Sequence, residues 1–377
     1  MRIAALTAAV CLLLAGEAGA EQLRRVSTPA ELQTALAEAQ GGETILLAGG
    51  IYGPLVISNR RYDPPITIRA ERPQAAEFDS LSFDHSSGIR VEQVHVSHPG
   101  NGHASSTIVA ITHSQQIAIV DSEVNGRVDD VFDGHFAFFT RYDVRDIEIA
   151  GNMIHDVKRG GVFYNVEGLH LHGNTVERTG DDAFKFIAVR DVLIENNVGP
   201  RLVFPGEGAH LDFVQFQGAD SSDVTIRGNV LLPGNWTDMQ GIFFDDAHYT
   251  DILIEQNIIY TGMFRGISVS SGTNVVARYN TVLDVEGVGS KATRVAIAEG
   301  PGNRSYGNIE SSHEGGVHAG NIVLQQRNPA APYFYDRYFA NARRGPGLTL
   351  HDLRPVAGSA AETHGAAERL RTLLPPS

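Results

Sequence analysis

Seven asparagines, Asn152, Asn174, Asn197, Asn229, Asn257, Asn280 and Asn308, each close a short phrase of the same shape. The phrases read IEIAGN, LHLHGN, VLIENN, VTIRGN, ILIEQN, VVARYN and RSYGN. They recur every twenty to thirty residues or so, the signature of stacked units that bury their apolar faces against one another. Each phrase alternates apolar and polar residues, as a strand does, and is too short for helical periodicity. Asparagine tolerates left-handed backbone and satisfies nearby peptide groups, so it can stack at the same corner of successive coils. The expected architecture is all-β, a right-handed parallel β-helix.

The ends of the chain suggest an address. Arg2, an apolar run from Ile3 to Leu14 and the small residues Ala18-Gly19-Ala20 read as a secretory signal over residues 1–20. The apolar run is too short for a membrane span. The only cysteine, Cys11, falls inside it, so an exported chain starting near Glu21 has no disulfide and depends on its core. The periplasm or the medium is the expected location. With 44 acidic against 30 basic residues and a formal charge of −14, general nucleic-acid binding is disfavoured. An anionic substrate is still admissible where local cations reverse the field in one groove.

Thr28-Pro29-Ala30-Glu31 carries an N-cap, a proline at the first helical position and a capping glutamate. Leu32, Ala35, Leu36 and Ala39 then give one apolar face. This short helix is expected to cover the open N-terminal end of the solenoid, whose edge strands would otherwise template aggregation. The β-helix domain is expected to run over residues 21–326, and residues 327–377 to form a C-terminal tail packed on its outside. Two inserts, Gly199 to Gly208 and Leu231 to Met239, interrupt the rhythm and should build walls of a binding face.

The stretch VSTPAELQTALAEAQGGETILLAGGIYG resembles the opening of the pectate-lyase-like superfamily of parallel β-helix proteins. YFANARRGPGLTLHDLRPVAGSAAETHGA resembles the tail of many exported members. The resemblance implies the fold across nearly the whole mature chain, and the superfamily hosts lyases, hydrolases, epimerases, esterases and adhesins.

Aligning the segments before the asparagine phrases gives GGVFYNV, DAFKFIA, DFVQFQG, GIFFDDA and GISVSSG. With alternate residues inward, an outward column reads Phe163, Lys185, Gln215, Phe243, Ser268. A second reads Gly160, Asp182, Asp212, Gln240, Arg265, and a third Asn165, Ile187, Gln217, Asp245, Ser270. Rungs of a parallel sheet lie about 4.8 Å apart, so column neighbours nearly touch. Asp181, Asp182 and Asp212 then form an oxygen-rich cluster that suits Ca2+ or shares a proton. Lys185, His210 and Arg265 are the candidate catalytic groups, and Gln215, Phe163, Phe243 and Asp245 the candidate substrate contacts. His135 is a further candidate, better read as structural.

These residues suit β-elimination on a uronic-acid polysaccharide. A cation neutralises the uronate carboxylate and a base removes the acidified ring proton. The β-helix lyases that the chain resembles use calcium carboxylate sites with a Lys or Arg base, which implies Lys185 as base here. Gly180-Asp181-Asp182, Gly208-Ala209-His210 and Arg265-Gly266-Ile267 also echo the polygalacturonases, but GGVFYNV lacks their third aspartate and Ser268 replaces their lysine. A C5-epimerase, or a non-catalytic carbohydrate-binding β-helix, is the further alternative.

Overall fold

The structure, a computed structural model, describes residues 22–98, 106–127, 135–204, 210–235, 238–285 and 292–374. The expected signal at 1–20 and parts of both inserts lie outside them. No helix among the described residues is long and apolar enough to cross a membrane.

Every named strand pairs in parallel, and the chain coils into a β-solenoid. One face is a thirteen-stranded sheet running from Gln22–Val26 to His318–Ala319. A second face runs from Ala76–Asp84 through Arg159–Tyr164, Phe184–Ile187, Asp212–Gln217, Gln240–Asp245 and Arg265–Val269 to His313–Glu314. A third is carried by His95–Ser97, Glu123–Asn125, Met153–Val157 and Thr175–Thr179. It continues past a single bridged residue, Val198, into the five-stranded sheet from Val230–Leu231 to Ile322–Val323.

The asparagines stack at one corner. The backbone N–H of Asn174 donates to Asn197 Oδ1 at 3.0 Å, that of Asn197 to Asn229 at 2.9 Å, and that of Asn229 to Asn257 at 3.0 Å. The side-chain amides follow the same path, and Asn174, Asn197, Asn229 and Asn257 are fully buried. The left-handed residue is not the asparagine but the one before it: Gly151, Gly173, Asn196, Gly228, Gln256, Tyr279, Gly307 and Gly320 all have φ between 51° and 67°. That residue turns the chain, and the asparagine spans to the next rung. Asn308 also donates to Asn321, an eighth member that the short terminal coil hides in the sequence. Upstream, the Ser122 N–H donates to Asn152 Oδ1 and its hydroxyl accepts from Val94, so serine continues the ladder.

Inside the prism, Phe163, Phe186, Phe216 and Phe244 stack with centroids 5.1, 4.6 and 4.2 Å apart. The helix Pro29–Glu38 places Leu32, Ala35 and Leu36 in the same core. Its Thr28 cap accepts from Glu31, and the Glu31 carboxylate reaches back to the Ser27 N–H. After the last coil, Tyr335, Phe339, Leu348, Leu353, Leu370 and Leu374 pack with Val230, Ile258, Leu283 and Ile309 in a second core on the five-stranded sheet.

Candidate active site

The site lies where the chain turns into the second face. Pairing across Gly161↔Phe184, Phe184↔Val214, Asp212↔Gln240 and Ile242↔Ile267 lines up Arg159, Asp182, Asp212, Gln240 and Arg265 on successive rungs. Beside them runs Val162, Lys185, Gln215, Phe243 and Ser268. From Asp182 to Arg265 these are the expected neighbours.

One register is corrected. Val162, not Phe163, lies opposite Lys185, and Phe163 is fully buried in the aromatic stack. It therefore presents no surface to a substrate. The segment alignment began at Gly160, one residue out of step; counting back from Asn174 and Asn197 reaches Phe163 and Phe186 alike. A one-residue slip reverses every side chain. The same shift brings Arg159 opposite Asp182, a residue the sequence reading missed.

Asp182 and Asp212 have the parity of the core-facing residues that follow them, so both are fully buried. Asp182 Oδ1 accepts from the Asp212 N–H at 3.1 Å. Arg159 reaches Asp181 Oδ2 at 2.6 Å and Asp182 Oδ2 at 3.3 Å, the latter an ion pair without hydrogen-bond geometry. Asp182 Oδ2, Asp212 Oδ1 and Gln215 Oε1 are buried without a hydrogen-bond partner. Such acceptors are costly in a dry interior unless a proton or cation meets them. Burial, then the charges of Asp181 and Asp212, push the Asp182 carboxyl up to about 8. Burial also raises Asp212, while His210, Arg265 and Lys185 pull it back. One proton held by the pair, mainly on Asp182, relieves the like-charge repulsion and leaves Asp212 ionised for His210.

His210 stands half-exposed above them. Its Nδ1 is 2.9 Å from Asp212 Oδ2 and its Nε2 is 2.7 Å from Gln240 Nε2. Arg265 donates to Gln240 Oε1 at 3.3 Å, which turns the amide N–H2 toward the histidine. Neutral His210 therefore carries its proton on Nδ1 and its lone pair on Nε2. The hydrogen bond to Asp212 raises the imidazole above its usual range, against partial burial.

Lys185 Nζ donates to Gln217 Oε1 at 2.9 Å. The Arg265 guanidinium lies 4.1 Å over the Phe243 ring, and Phe243, expected as an exposed substrate contact, is instead buried beneath it. Asp245 lies opposite Gln217 in the sheet register at the far edge, and Gln217 Nε2 donates to the neighbouring Asp246 Oδ2 at 3.0 Å. His135 lies apart, buried and 2.7 Å from Ser106 Oγ.

The residues do not fit a calcium ion. The Arg159 guanidinium already lies between Asp181 and Asp182. Among the described residues, metal-ligating groups come together in threes at Asp84–His85–His113 and Glu310–His313–His318, and the Asp181, Asp182 and Asp212 carboxylates form no such group. A separate surface hollow, lined by Arg145, Glu167, Arg190, Ser222 and His248 among others, contains none of the buried acids.

The sequence matches no family model and no curated protein. Similar solved structures include the PL6 family alginate lyase AlyGC, at 15% identity and a TM-score of 0.44, over 92% of this chain and 57% of that enzyme. The chain thus spans little more than half that enzyme's length. An alginate lyase from Paenibacillus sp. str. FPU-7 is 16% identical with a TM-score of 0.45, over 79% of this chain and 99% of that one. The GH136 lacto-N-biosidase from Eubacterium ramulus is 11% identical with a TM-score of 0.45, over 81% and 67%. The likeness to all three is one of fold, the parallel β-helix.

Proposed function

We propose that the protein is an exported polysaccharide lyase that cleaves a uronic-acid polymer by β-elimination, with His210 as base. The observation that carries this reading is the His210–Asp212 pair set among Arg159, Lys185 and Arg265 on one face. The cations neutralise the uronate carboxylate and so acidify the adjacent ring carbon. His210 Nε2, released from Gln240, takes that proton while Asp212 stabilises the imidazolium. The electron pair forms the ring double bond, the C–O bond to the next sugar breaks, and the Lys185 ammonium protonates the departing oxygen. Arg159 supplies beside the carboxylates the positive charge that calcium was expected to bring.

The test is a panel of uronate polymers followed by ultraviolet absorbance of the unsaturated product and, in parallel, by reducing ends. Absorbance rising with reducing ends supports the lyase. The buried Asp182–Asp212 pair favours a second reading, glycoside hydrolysis with protonated Asp182 as acid. Reducing ends without absorbance would establish that instead.

A further inference from the structure

The terminal coil contains a second cluster that the reaction does not use. Glu310, in Ile309–Glu310, His313, in His313–Glu314, and His318, in His318–Ala319, come from three different sheets and meet where the solenoid narrows. One ligand atom from each lies within 4.8 Å of the other two. We propose that Glu310, His313 and His318 bind a zinc-type divalent transition-metal ion that ties the three faces together at the C-terminal end.

Four observations carry it. Glu310 is fully buried, and its Oε2 makes no hydrogen bond of good geometry, with the Asn321 amide near the carboxylate, while the other oxygen meets His313 Nδ1 at 2.9 Å. A buried, unpartnered carboxylate oxygen calls for a cation or a proton. The two imidazoles stack face to face, centroids 4.4 Å apart and 12° from parallel. His318 Nε2 is 2.9 Å from the Glu314 carbonyl, which can only accept, so the ring's lone pair is on Nδ1, where the Asn321 amide N–H2 approaches to 3.3 Å and must give way to an ion. Donating the distal N–H to a backbone carbonyl is how metal-bound histidines are commonly oriented. His313 is exposed, which leaves an entry path for the ion. Two imidazoles and a carboxylate suit zinc and its neighbours better than calcium.

The other three-residue cluster is an internal control. Asp84 there is half-buried rather than enclosed, and its Oδ1 is already engaged by Thr112 and His113. It leaves no buried oxygen unpaired among the described residues.

Tag-free protein, stripped with chelator and dialysed, is titrated with Co2+, whose visible ligand-field bands report the site, and then with Zn2+ as competitor. Wild type and the His85→Ala/His113→Ala variant should each bind one Co2+ that Zn2+ displaces. The His313→Ala/His318→Ala variant should lose that binding, and Zn2+ should raise the Tm of wild type but not of this variant. Absence of saturable Co2+ binding by wild type, or undiminished binding by His313→Ala/His318→Ala, would overturn the site.

Discussion

At the scale of single residues, His210 carries the most testable chemistry. A base must be unprotonated, so kcat/KM should rise with pH as His210 loses its proton, with a midpoint above the ordinary imidazole value because Asp212 raises it. His210→Ala should lower turnover by about 10²–10⁴-fold. Asp212→Asn should shift the midpoint downward, since the amide no longer favours the imidazolium; an unmoved profile would remove His210 as the titrating base. Much of this cluster was legible in the sequence, because Asp182, Asp212, Lys185 and Arg265 are ionic residues at matching places in an apolar repeat. Arg159 was not, for the alignment of the segments began one residue after it, at Gly160, and only the observed register brings it onto Asp181 and Asp182. The burial of the two aspartates was legible too, since Asp182 and Asp212 share the parity of the inward Phe184 and Val214, but the rim reading set them outward.

At the scale of elements, the asparagine ladder and the phenylalanine stack hold the coils in register. Asn229→Ala would leave the Asn197 N–H and the Ile194 carbonyl unpaired in the interior. At about 1–3 kcal/mol per orphaned group, the two should together cost about 2–6 kcal/mol. Asn321→Ala, at the half-buried last rung, should cost less. Denaturant midpoints of the two variants check this, and equal losses would mean that ladder position has no influence. Phe216→Ala, in the middle of the stack, should cost about 3–5 kcal/mol through the cavity it leaves. The ladder was visible because its spacing repeats. Its serine continuation at Ser122 and its last member Asn321 were not, one because the residue type changes and the other because the coil shortens.

At the scale of the whole molecule, the pattern of buried and paired carboxylates sets how stability varies with pH. Asp182 is faced by Asp181, Asp212, Arg159 and Lys185, and its carboxyl is raised to about 8 in the folded chain. The folded state therefore holds a proton that the unfolded chain would release near the ordinary aspartate value. Its stabilising contribution is fully present below that value and is lost as pH rises toward about 8. Glu148, Glu195 and Asp352 have the opposite sign: Arg90 and His172, Arg227 and His170, and the Thr349 and Asn341 donors respectively hold them low. Their contribution is lost as pH falls through their depressed values. The two trends place the greatest stability in mildly acidic solution, with a decline through neutrality into the alkaline range. Asp182→Asn keeps the shape of the protonated acid without its titration, so it should flatten the alkaline decline while leaving the acid limb unchanged. Thermal unfolding of both proteins across the pH range provides the measurement. An alkaline decline as steep in Asp182→Asn as in wild type would mean that the buried pair does not hold the proton, and that Arg159 and Lys185 keep both aspartates ionised.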